Sequence, residues 1–273
     1  MILDAFRLDG RVALVTGATR GLGQGIAVAL AQAGADVVAL DVLEVDETVE
    51  RVQGAGRRCH PLSVDLSRAT PESAGEVVAE CVRQLGRLDI LVNNAGIIRR
   101  APAVDYPQAD WDPVVAINLT SAFYLAQAAA RHFVEQGQGG KIINTASVLS
   151  FDGGILVPAY VATKHAIAGL TKALANEWAG LGINVNAIAP SYFETEVTAA
   201  LRSDPERRDA LLARLPAGRF GTAEDLAGLA VLWHRTSART CTARSSLLTA
   251  AGCRSERAAR ALAAGPPCSR SPP

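Results

Sequence analysis

A tyrosine and a lysine stand four residues apart in the segment Tyr160-Val161-Ala162-Thr163-Lys164. On a helix this spacing puts both side chains on one face, one turn apart. A free tyrosine titrates near ~10 and is a poor base at neutral pH, but a nearby ammonium favours the phenolate and lowers the tyrosine pKa. The pair is a candidate general acid/base for an alcohol or a ketone. Because an isolated pair is more often an ordinary feature of a surface helix, the interpretation depends on the other residues.

Polar residues at the ends of apolar strands are candidates for the same site. Ser147 lies just beyond one strand, thirteen residues before Tyr160, and open α/β sheets bind ligands outside the carboxyl ends of their strands. Asn93 and Asn94 follow another strand, where they either form a turn or hold backbone around a cofactor. Asn118 lies inside a predicted helix, which is unfavourable unless the side chain bonds neighbouring backbone or faces a site.

A glycine-rich turn joins the first apolar strand to a helical pattern that includes Ile26. Its glycines, Gly17, Gly21 and Gly23, have the spacing Gly-x-x-x-Gly-x-Gly, not the Gly-x-Gly-x-x-Gly of many dinucleotide-binding folds. Glycines let the backbone approach a diphosphate, and the amides and dipole of a helix start favour its charge. The turn therefore predicts a phosphate site, with a simple tight turn as the alternative.

The acid that ends the second strand bears on the choice of cofactor. Asp41 follows the glycines by ~20 residues, where an acid bonds the adenosine ribose hydroxyls and repels a 2′-phosphate. Asp41 therefore favours NAD over NADP, with a turn or helix cap as its alternative role. Arg20 is a counter-signal, since a basic side chain in the loop can hold a phosphate. We expect NAD as the cofactor.

Strand and helix patterns alternate along the chain. Their order predicts an α/β fold, a Rossmann-type doubly wound parallel sheet in three αβα layers, as a single domain over residues 1–232. Residues 191–221, which follow Pro190, are polar and contain proline, as expected of a substrate lid. The predicted strands are 11–16, 35–40, 59–64, 90–92, 141–145 and 183–188, and the predicted helices include 74–85, 111–133, 163–179 and 223–232.

The composition limits the classes of function. The 273 residues carry no net charge, and 49% are hydrophobic, which indicates a globular domain and argues against nucleic acid as a partner. No apolar run approaches the ~20 residues that span a bilayer, and residues 1–10 lack an apolar targeting segment, so no membrane is expected. Five cysteines without metal-ligand spacing predict a reducing cytoplasm, no disulfide framework and no metal site.

These motifs occur together and in order over about residues 8–232. Thr16-Gly17-x-x-x-Gly21-x-Gly23, Asn93-Asn94-Ala95-Gly96, Asn118, Ser147 and Tyr160-x-x-x-Lys164 resemble the short-chain dehydrogenase/reductase family. Within it, the chain is most similar to the group of 2-deoxy-D-gluconate 3-dehydrogenases, also called 2-dehydro-3-deoxy-D-gluconate 5-dehydrogenases. The narrower similarity rests on Met1-Ile2-Leu3-x-Ala5-Phe6, Ile98-Arg99-Arg100, Leu149-Ser150-Phe151-x-Gly153-Gly154 and Asn176-Glu177-Trp178-Ala179.

The resemblance implies a role for each matching residue. A hydride passes to or from NAD, Tyr160 acts as acid/base, Lys164 lowers its pKa and holds the nicotinamide ribose, and Ser147 bonds the substrate oxygen. Asn118 supports a water-linked proton path to Lys164 and completes the catalytic set. The cofactor-binding residues implied are Gly17, Thr19, Arg20, Gly21, Leu22, Gly23, Asp41, Asp65, Leu66, Asn93, Ala95, Gly96, Tyr160, Lys164, Pro190 and Thr195.

The implied substrate is a small sugar acid, whose secondary alcohol and ketone are interconverted. Besides Ser147 and Tyr160, Arg99 and Arg100 are candidate substrate residues, because arginine suits bidentate carboxylate recognition; a solvated basic loop is the alternative. Gluconate 5-dehydrogenase and 3-oxoacyl reductase are alternative activities. The family also implies a homo-tetramer. Ser191 replaces the family's usual glycine, and because positive φ is uncommon outside glycine, the loop near the nicotinamide is expected to be shifted.

The segment after residue 232 differs from the rest of the chain. Residues 233–273 hold seven arginines and one acid, a net charge of +6, so the remainder totals −6. They lack the final strand ending in Val-Asp-Gly-Gly that the resemblance implies. We interpret 233–273 as an aberrant basic tail that is disordered or poorly packed. The competing account is a genuine basic tail that binds an acidic partner.

Back-translation suggests a cause for the aberrant tail. Leu232-Trp233-His234-Arg235-Thr236 can be written C-TGG-CAT-CGG-AC, and the same bases read one position earlier give Leu-Ala-Ser-Asp. Residues 244–253, treated likewise, can give Ala-Val-Leu-Ala-Val-Asp-Gly-Gly-Trp, which matches the implied strand. The sequence therefore predicts a frame-shifted reading after about residue 232. In that case assembly into a tetramer is in doubt, and a cofactor-binding protein without turnover is a further hypothesis.

Overall fold

The computed structural model of the chain describes residues 2–213, 215, 217–232 and 245–246. Strands and helices alternate over most of this length. The strands are β1 Val12–Thr16, β2 Asp36–Asp41, β3 Cys59–Ser63, β4 Ile90–Asn93, β5 Gly140–Thr145, β6 Ile183–Ile188 and β7 Ser245–Ser246. The helices are α1 Gly21–Gln32, α2 Asp46–Gly54, α3 Pro71–Leu85, α4 Gln108–Val115, α5 Ser121–Gln136, α6 Pro158–Trp178, α7 Glu196–Arg202, α8 Pro205–Leu212 and α9 Glu224–Leu232.

All pairings in the sheet are parallel, and the strand order is β3-β2-β1-β4-β5-β6-β7. The chain winds outward from β1 in one direction, then returns to the centre and winds outward from β4 in the other. The order therefore reverses between β1 and β4, and such a switch point is where doubly wound sheets open a ligand cleft. The predicted Rossmann-type fold is confirmed.

The centre of the sheet is buried on both faces, so β1 and most of β4 are continuous apolar runs rather than alternating ones. Every residue of β1 and of β6 is buried. Leu14 and Leu91 face a cluster that includes Phe133 of α5, while Ala13 and Val15 face the cluster around Ile26 of α1. These two apolar layers hold the helices against the sheet and fix the carboxyl ends of the strands, which carry the candidate site.

The six longer strands lie where the apolar runs predict them, within about two residues at each end. The helix predicted over 111–133 is longer and is interrupted, because α4 and α5 are joined by a π-helical turn over Ala116–Thr120. Helix α2 is not predicted by the sequence analysis. The lid segment 191–221 is partly helical, through α7 and α8.

The helical stretch Gln108–Gln136 is, by length and mean hydropathy alone, long and apolar enough to cross a membrane. Half of its most apolar window is buried inside the protein, and α5 packs against α3 and the sheet strands β4 and β5. The apolar side chains of this stretch are accounted for as the core of an α/β domain.

Most of the tail predicted to be aberrant, 233–244 and 247–273, lies outside the described residues. Ser245–Ser246 form the short strand β7, which pairs with Ala187 and Ile188 of β6. The sequence analysis expected the last strand to be missing, and the structure has a two-residue strand at this position. An unpaired sheet edge carries free backbone N–H and C=O groups, so even serines can pair there.

Candidate active site

A cleft of about 570 Å³ opens at the carboxyl ends of the strands, beside the β1–β4 switch point. Most of the predicted cofactor and catalytic residues line it. From the predicted set these are Gly17, Thr19, Arg20, Gly21, Leu22, Asp41, Asp65, Leu66, Ala95, Gly96, Ser147, Tyr160, Lys164, Pro190 and Thr195. The fold thus brings together residues that are up to about 180 positions apart in the chain.

The glycine-rich turn between β1 and α1 requires its glycines for two different reasons. Gly17 has φ 67° and Gly21 has φ 59°, conformations that side chains with a Cβ rarely adopt. A Cβ on Gly23 would overlap the carbonyl of Gly17. Gly23 therefore packs beneath the turn and does not line the cleft, unlike its predicted role. The start of α1 has no side-chain cap, so its first amides are left for another acceptor, and Gly21 and Leu22 at this start line the cleft.

Thr19 adds an orphaned donor to this turn. Its hydroxyl is buried and has no hydrogen-bond partner among the residues that the structure describes. A buried hydroxyl without a partner is costly. Together with the α1 amides and the close glycine turn, this hydroxyl suits a phosphate, so the donor set fits the diphosphate of a dinucleotide.

Asp41 is the last residue of β2 and ties two loops together. One carboxylate oxygen accepts the Thr19 N–H at 3.2 Å, and the other accepts the N–H groups of Val42 and Leu43 at 2.8 and 3.2 Å. The cap predicted as its alternative role is therefore present. Asp41 also lines the cleft, so the two roles are compatible. Arg20 is largely exposed and lies 4.0 Å from the carboxylate of Glu196 on α7.

Asp65 and Leu66 lie on the same side of the cleft, after β3. The Asp65 carboxylate accepts the Ser67 N–H at 2.9 Å, and hydrogen bonding by Ser67 lowers the pKa of Asp65. Leu66 is buried beside it. The Asp65 carboxylate and the apolar Leu66 side chain thus lie at the β3 end of the cleft, on the opposite side of the sheet order from β6.

The two asparagines after β4 have different positions. Asn93 lies beneath the cleft, where its amide donates to the Ala122 carbonyl and to Asn144 at 3.0 Å each. Asn94 lines the cleft instead, and its amide donates to the carbonyls of Thr16 and Gly17. Asn93 was predicted as a cofactor residue, but alternation along the strand turns it inward. Its neighbour Asn94 holds the glycine turn against β4.

Asn118 lies in the π-helical turn and clamps backbone rather than lining the cleft. Its amide exchanges two hydrogen bonds with the peptide of Ile97, at 2.8 and 2.9 Å, and a third joins it to the Thr163 hydroxyl at 3.3 Å. This clamp explains an asparagine within a helix, and π turns are frequent at functional sites. Asn118 therefore connects the loop after Gly96 to the residue preceding Lys164.

Tyr160 and Lys164 are held on the first turns of α6. The Lys164 ammonium lies 5.5 Å from the centre of the Tyr160 ring and donates to the Thr145 carbonyl at 2.5 Å. Ser147 hydrogen-bonds the phenol. Ser150, which motif analysis did not single out as catalytic, donates to the Lys164 carbonyl at 2.6 Å and accepts the Ser147 N–H. Ser150 thus positions the serine turn against α6.

The electrostatics of this trio differ from the sequence-based expectation. Burial raises the pKa of Tyr160, while the Ser147 hydroxyl and the charge of Arg100 act in the opposite direction. Burial also lowers the pKa of Lys164 to about 8. The expected net lowering of the Tyr160 pKa is therefore not found, because burial outweighs the groups that favour the phenolate.

The two candidate substrate arginines do not line the cleft itself. Arg99 is exposed. Its guanidinium donates to the backbone carbonyl of Ile98 and lies 3.7 Å from the Asp110 carboxylate. Arg100 lies close enough to affect the Tyr160 phenol electrostatically. Ser191 lines the cleft without positive φ, since among the described non-glycine residues only Leu156 has one. Ser191 thus avoids the backbone conformation that favours glycine, and the expected shift of that loop relative to the family stays a prediction.

Known proteins resemble this chain over most of its length. The family model for short chain dehydrogenases matches residues 11–206. A 2-dehydro-3-deoxy-D-gluconate 5-dehydrogenase of Dickeya dadantii is 52% identical over 231 residues, which cover 85% of this chain and 90% of that one. A crystal structure from Agrobacterium tumefaciens with bound NADP, assigned as a 2-deoxy-D-gluconate 3-dehydrogenase, is 48% identical, with a TM-score of 0.84 over 91% of this chain and 97% of its own. A gluconate 5-dehydrogenase of Burkholderia cenocepacia in complex with NADP and tartrate is 38% identical, with a TM-score of 0.85 over 92% and 98%.

Proposed function

The chain belongs to the short-chain dehydrogenase family, and we propose that it interconverts a secondary alcohol and a ketone on a small sugar acid, with NAD as the cofactor. Its class is an NAD(P)-dependent oxidoreductase. The observation that supports the proposal most is the placement of Tyr160, Ser147 and Lys164 together at the rim of one cleft that also contains the glycine turn. The Dickeya relative's activity supports the sugar acid.

In this proposal each wall of the cleft holds one part of the dinucleotide. The α1 amides and Thr19 bind the diphosphate, Asp41 the adenosine ribose, and Asp65 with Leu66 the adenine. Ala95, Gly96, Pro190 and Thr195 surround the nicotinamide. When bound, the nicotinamide supplies or accepts the hydride.

The protein's own residues handle the oxygen of the substrate and its proton. Ser147, fixed by Ser150, donates to the developing oxyanion. Tyr160 takes the proton of the alcohol or returns it to the alkoxide. The Lys164 ammonium stabilises the phenolate, and Asn118 keeps the loop after Gly96 and the start of α6 in register.

The test is NADH formation from 2-deoxy-D-gluconate by the full chain, with NADH binding measured separately by fluorescence. Turnover that is lost in Tyr160→Phe supports the proposal. NADH binding without turnover, in this chain and in one with the frame restored after Val231, excludes the sugar acid. Turnover only after restoration identifies this chain as a cofactor-binding protein made inactive by its tail.

Arg100→Gln is expected to raise KM for the sugar acid by about 10- to 100-fold, because a hydrogen bond to a charged group contributes ~1.5–3 kcal/mol. Arg100 reaches Tyr160 electrostatically, whereas Arg99 faces Asp110. The loss of this charge also raises the Tyr160 pKa, so the pH profile moves to higher pH. Arg99→Gln is the matched control, with little change expected in steady-state kinetics. Equal effects of both substitutions contradict a specific role for Arg100.

NAD preference is proposed to depend on the Asp41 charge. Asp41→Asn keeps a hydrogen-bond acceptor for the loop but removes the repulsion of a 2′-phosphate, so the ratio of kcat/KM for NADP over NAD should rise about tenfold or more. The NADP in the related structures makes this comparison informative. An unchanged ratio, or a preference for NADP in the unmodified chain, would assign cofactor choice to other residues, with Arg20 the first to test.

Cytoplasmic location and a homo-tetramer complete the proposal. Among the described residues, Cys59 and Cys81 are free thiols, consistent with a reducing compartment. We expect the aberrant tail to hinder assembly of this particular chain. We also propose that residues 233–273 are read out of frame, which the net charge of +6 in this segment and the strand obtained by back-translation support.

A further inference from the structure

The lid carries a cation that faces the cleft. Arg202 is the last residue of α7 and lines the cleft together with Thr195 and Thr198 of the same lid segment. One terminal nitrogen of its guanidinium donates to the Thr195 carbonyl at 3.4 Å. No sequence motif singles this arginine out, because it lies in a polar stretch without a recognisable spacing.

The guanidinium of Arg202 is incompletely satisfied. Its Nε is shielded from solvent and has no hydrogen-bond partner within the part of the chain that the structure describes. Leaving a buried donor without an acceptor is costly, and more so for a charged group. Because Nε is shielded in this arrangement, a ligand in the cleft removes this cost only if the guanidinium turns toward the cleft that Arg202 lines.

The position of the lid indicates which ligand group is within reach. The Thr195 methyl lies 3.6 Å from the place that a Cβ on Gly21 would occupy, so the start of α7 lies over the phosphate turn. The neighbouring Glu196 extends to 4.0 Å from Arg20 on the same turn. Arg202 folds back along the helix to Thr195, and therefore toward Gly21 and the uncapped α1 amides.

We propose that Arg202 is an anion-binding residue of the lid that donates to the diphosphate of the dinucleotide, opposite the α1 amides. The inference rests on the proposed nicotinamide cofactor. A planar guanidinium offers parallel N–H groups that match phosphate oxygens better than a single ammonium does. Contact with both α7 and the phosphate turn makes cofactor binding stabilise the lid in its place over the cleft.

The test compares Kd values of the full chain for NADH, ADP-ribose and adenosine, measured by fluorescence and calorimetry. Arg202→Gln is expected to weaken NADH and ADP-ribose by about tenfold or more, and to leave adenosine within about twofold. Arg202→Lys should recover part of the loss. Arg208→Gln, which removes an exposed charge paired with Asp209 on α8, is the matched control and should bind like the unmodified chain.

Three results would overturn the inference. Equal Kd values for ADP-ribose in Arg202→Gln and the unmodified chain would remove the diphosphate contact. A raised KM for the sugar acid with unchanged ADP-ribose affinity would assign Arg202 to the substrate carboxylate instead. A similar loss of NADH and ADP-ribose affinity in Arg208→Gln would show that the effect comes from the total positive charge of the lid and not from a contact of Arg202. If the unmodified chain binds no dinucleotide, the proposed cofactor itself fails, which separates the two hypotheses.

Discussion

Lys164→Met is expected to lower kcat about 10²- to 10⁴-fold and at the same time to raise the free energy of unfolding at pH 7 by about 1–3 kcal/mol. The first effect follows from the loss of the cation that stabilises the Tyr160 phenolate. The second follows from burial, since Lys164 is only 4% exposed and its pKa falls from 10.5 to about 8. A tenfold change in proton affinity equals ~1.4 kcal/mol, so keeping this ammonium charged costs the fold on the order of 3 kcal/mol.

The pH dependence gives this prediction a direction. Below about pH 8 the lysine is protonated in both states, so the destabilisation is present in full. Between about 8 and 10.5 the unfolded chain binds more protons, and the stability of the unmodified protein rises with pH. The advantage of Lys164→Met should therefore shrink across this range in urea unfolding curves. Lys172→Met, an exposed lysine on the same helix, is the control and should change neither stability nor turnover much.

Tyr160→Phe separates the two effects further. It should remove turnover in the same assay but give no comparable gain in stability, because it removes no buried charge. A Lys164→Met protein that is less stable than the parent at pH 7 would contradict the argument. It would mean that the bond from the ammonium to the Thr145 carbonyl compensates for desolvation.

The fold could be predicted because burial on both faces makes parallel strands readable as apolar runs. Val12–Thr16 is an example and is buried throughout. Ile183–Ile188 is also buried throughout, although Asn184 and Asn186 alternate with its apolar residues. Helix α2 is short and mostly exposed, so only Thr48 and Val52 are buried in it and its apolar signal is weak. The π turn at Ala116–Thr120 could not be predicted from local sequence, because the bond between Asn118 and the Ile97 peptide connects distant segments.

The catalytic residues could be predicted from spacing, but their surroundings could not. The sequence analysis considered the charge of Lys164 beside Tyr160 and not the burial of both, so it gave the wrong direction for the Tyr160 pKa. Asn93 and Asn94 are adjacent, and only the pleat of β4 decides which one reaches the cleft. Arg202 is found only when the lid is seen over Gly21.

A chain with its reading frame restored after Val231 is expected to unfold with a free energy at least ~3 kcal/mol higher than this chain. Strand β6 pairs with β5 along all six residues but with β7 only at Ala187 and Ile188. The alternative reading occupies positions 244–252 and puts valine and leucine at 245–246, where this chain has Ser245 and Ser246. Fully burying such side chains contributes ~1.5–3 kcal/mol each.

Three proteins make the comparison decisive: this chain, the restored chain and a chain that ends at Leu232. Thermal unfolding, light scattering and NADH formation are measured on each. If the complete last strand stabilises the sheet edge, only the restored chain gains stability, forms tetramers and turns over faster. The shortened chain then behaves like this one. A restored chain no more stable than this one would show that Ser245–Ser246 already suffice at the sheet edge. A shortened chain that is less stable than this one would instead favour a genuine tail, whose seven arginines would then require an acidic partner.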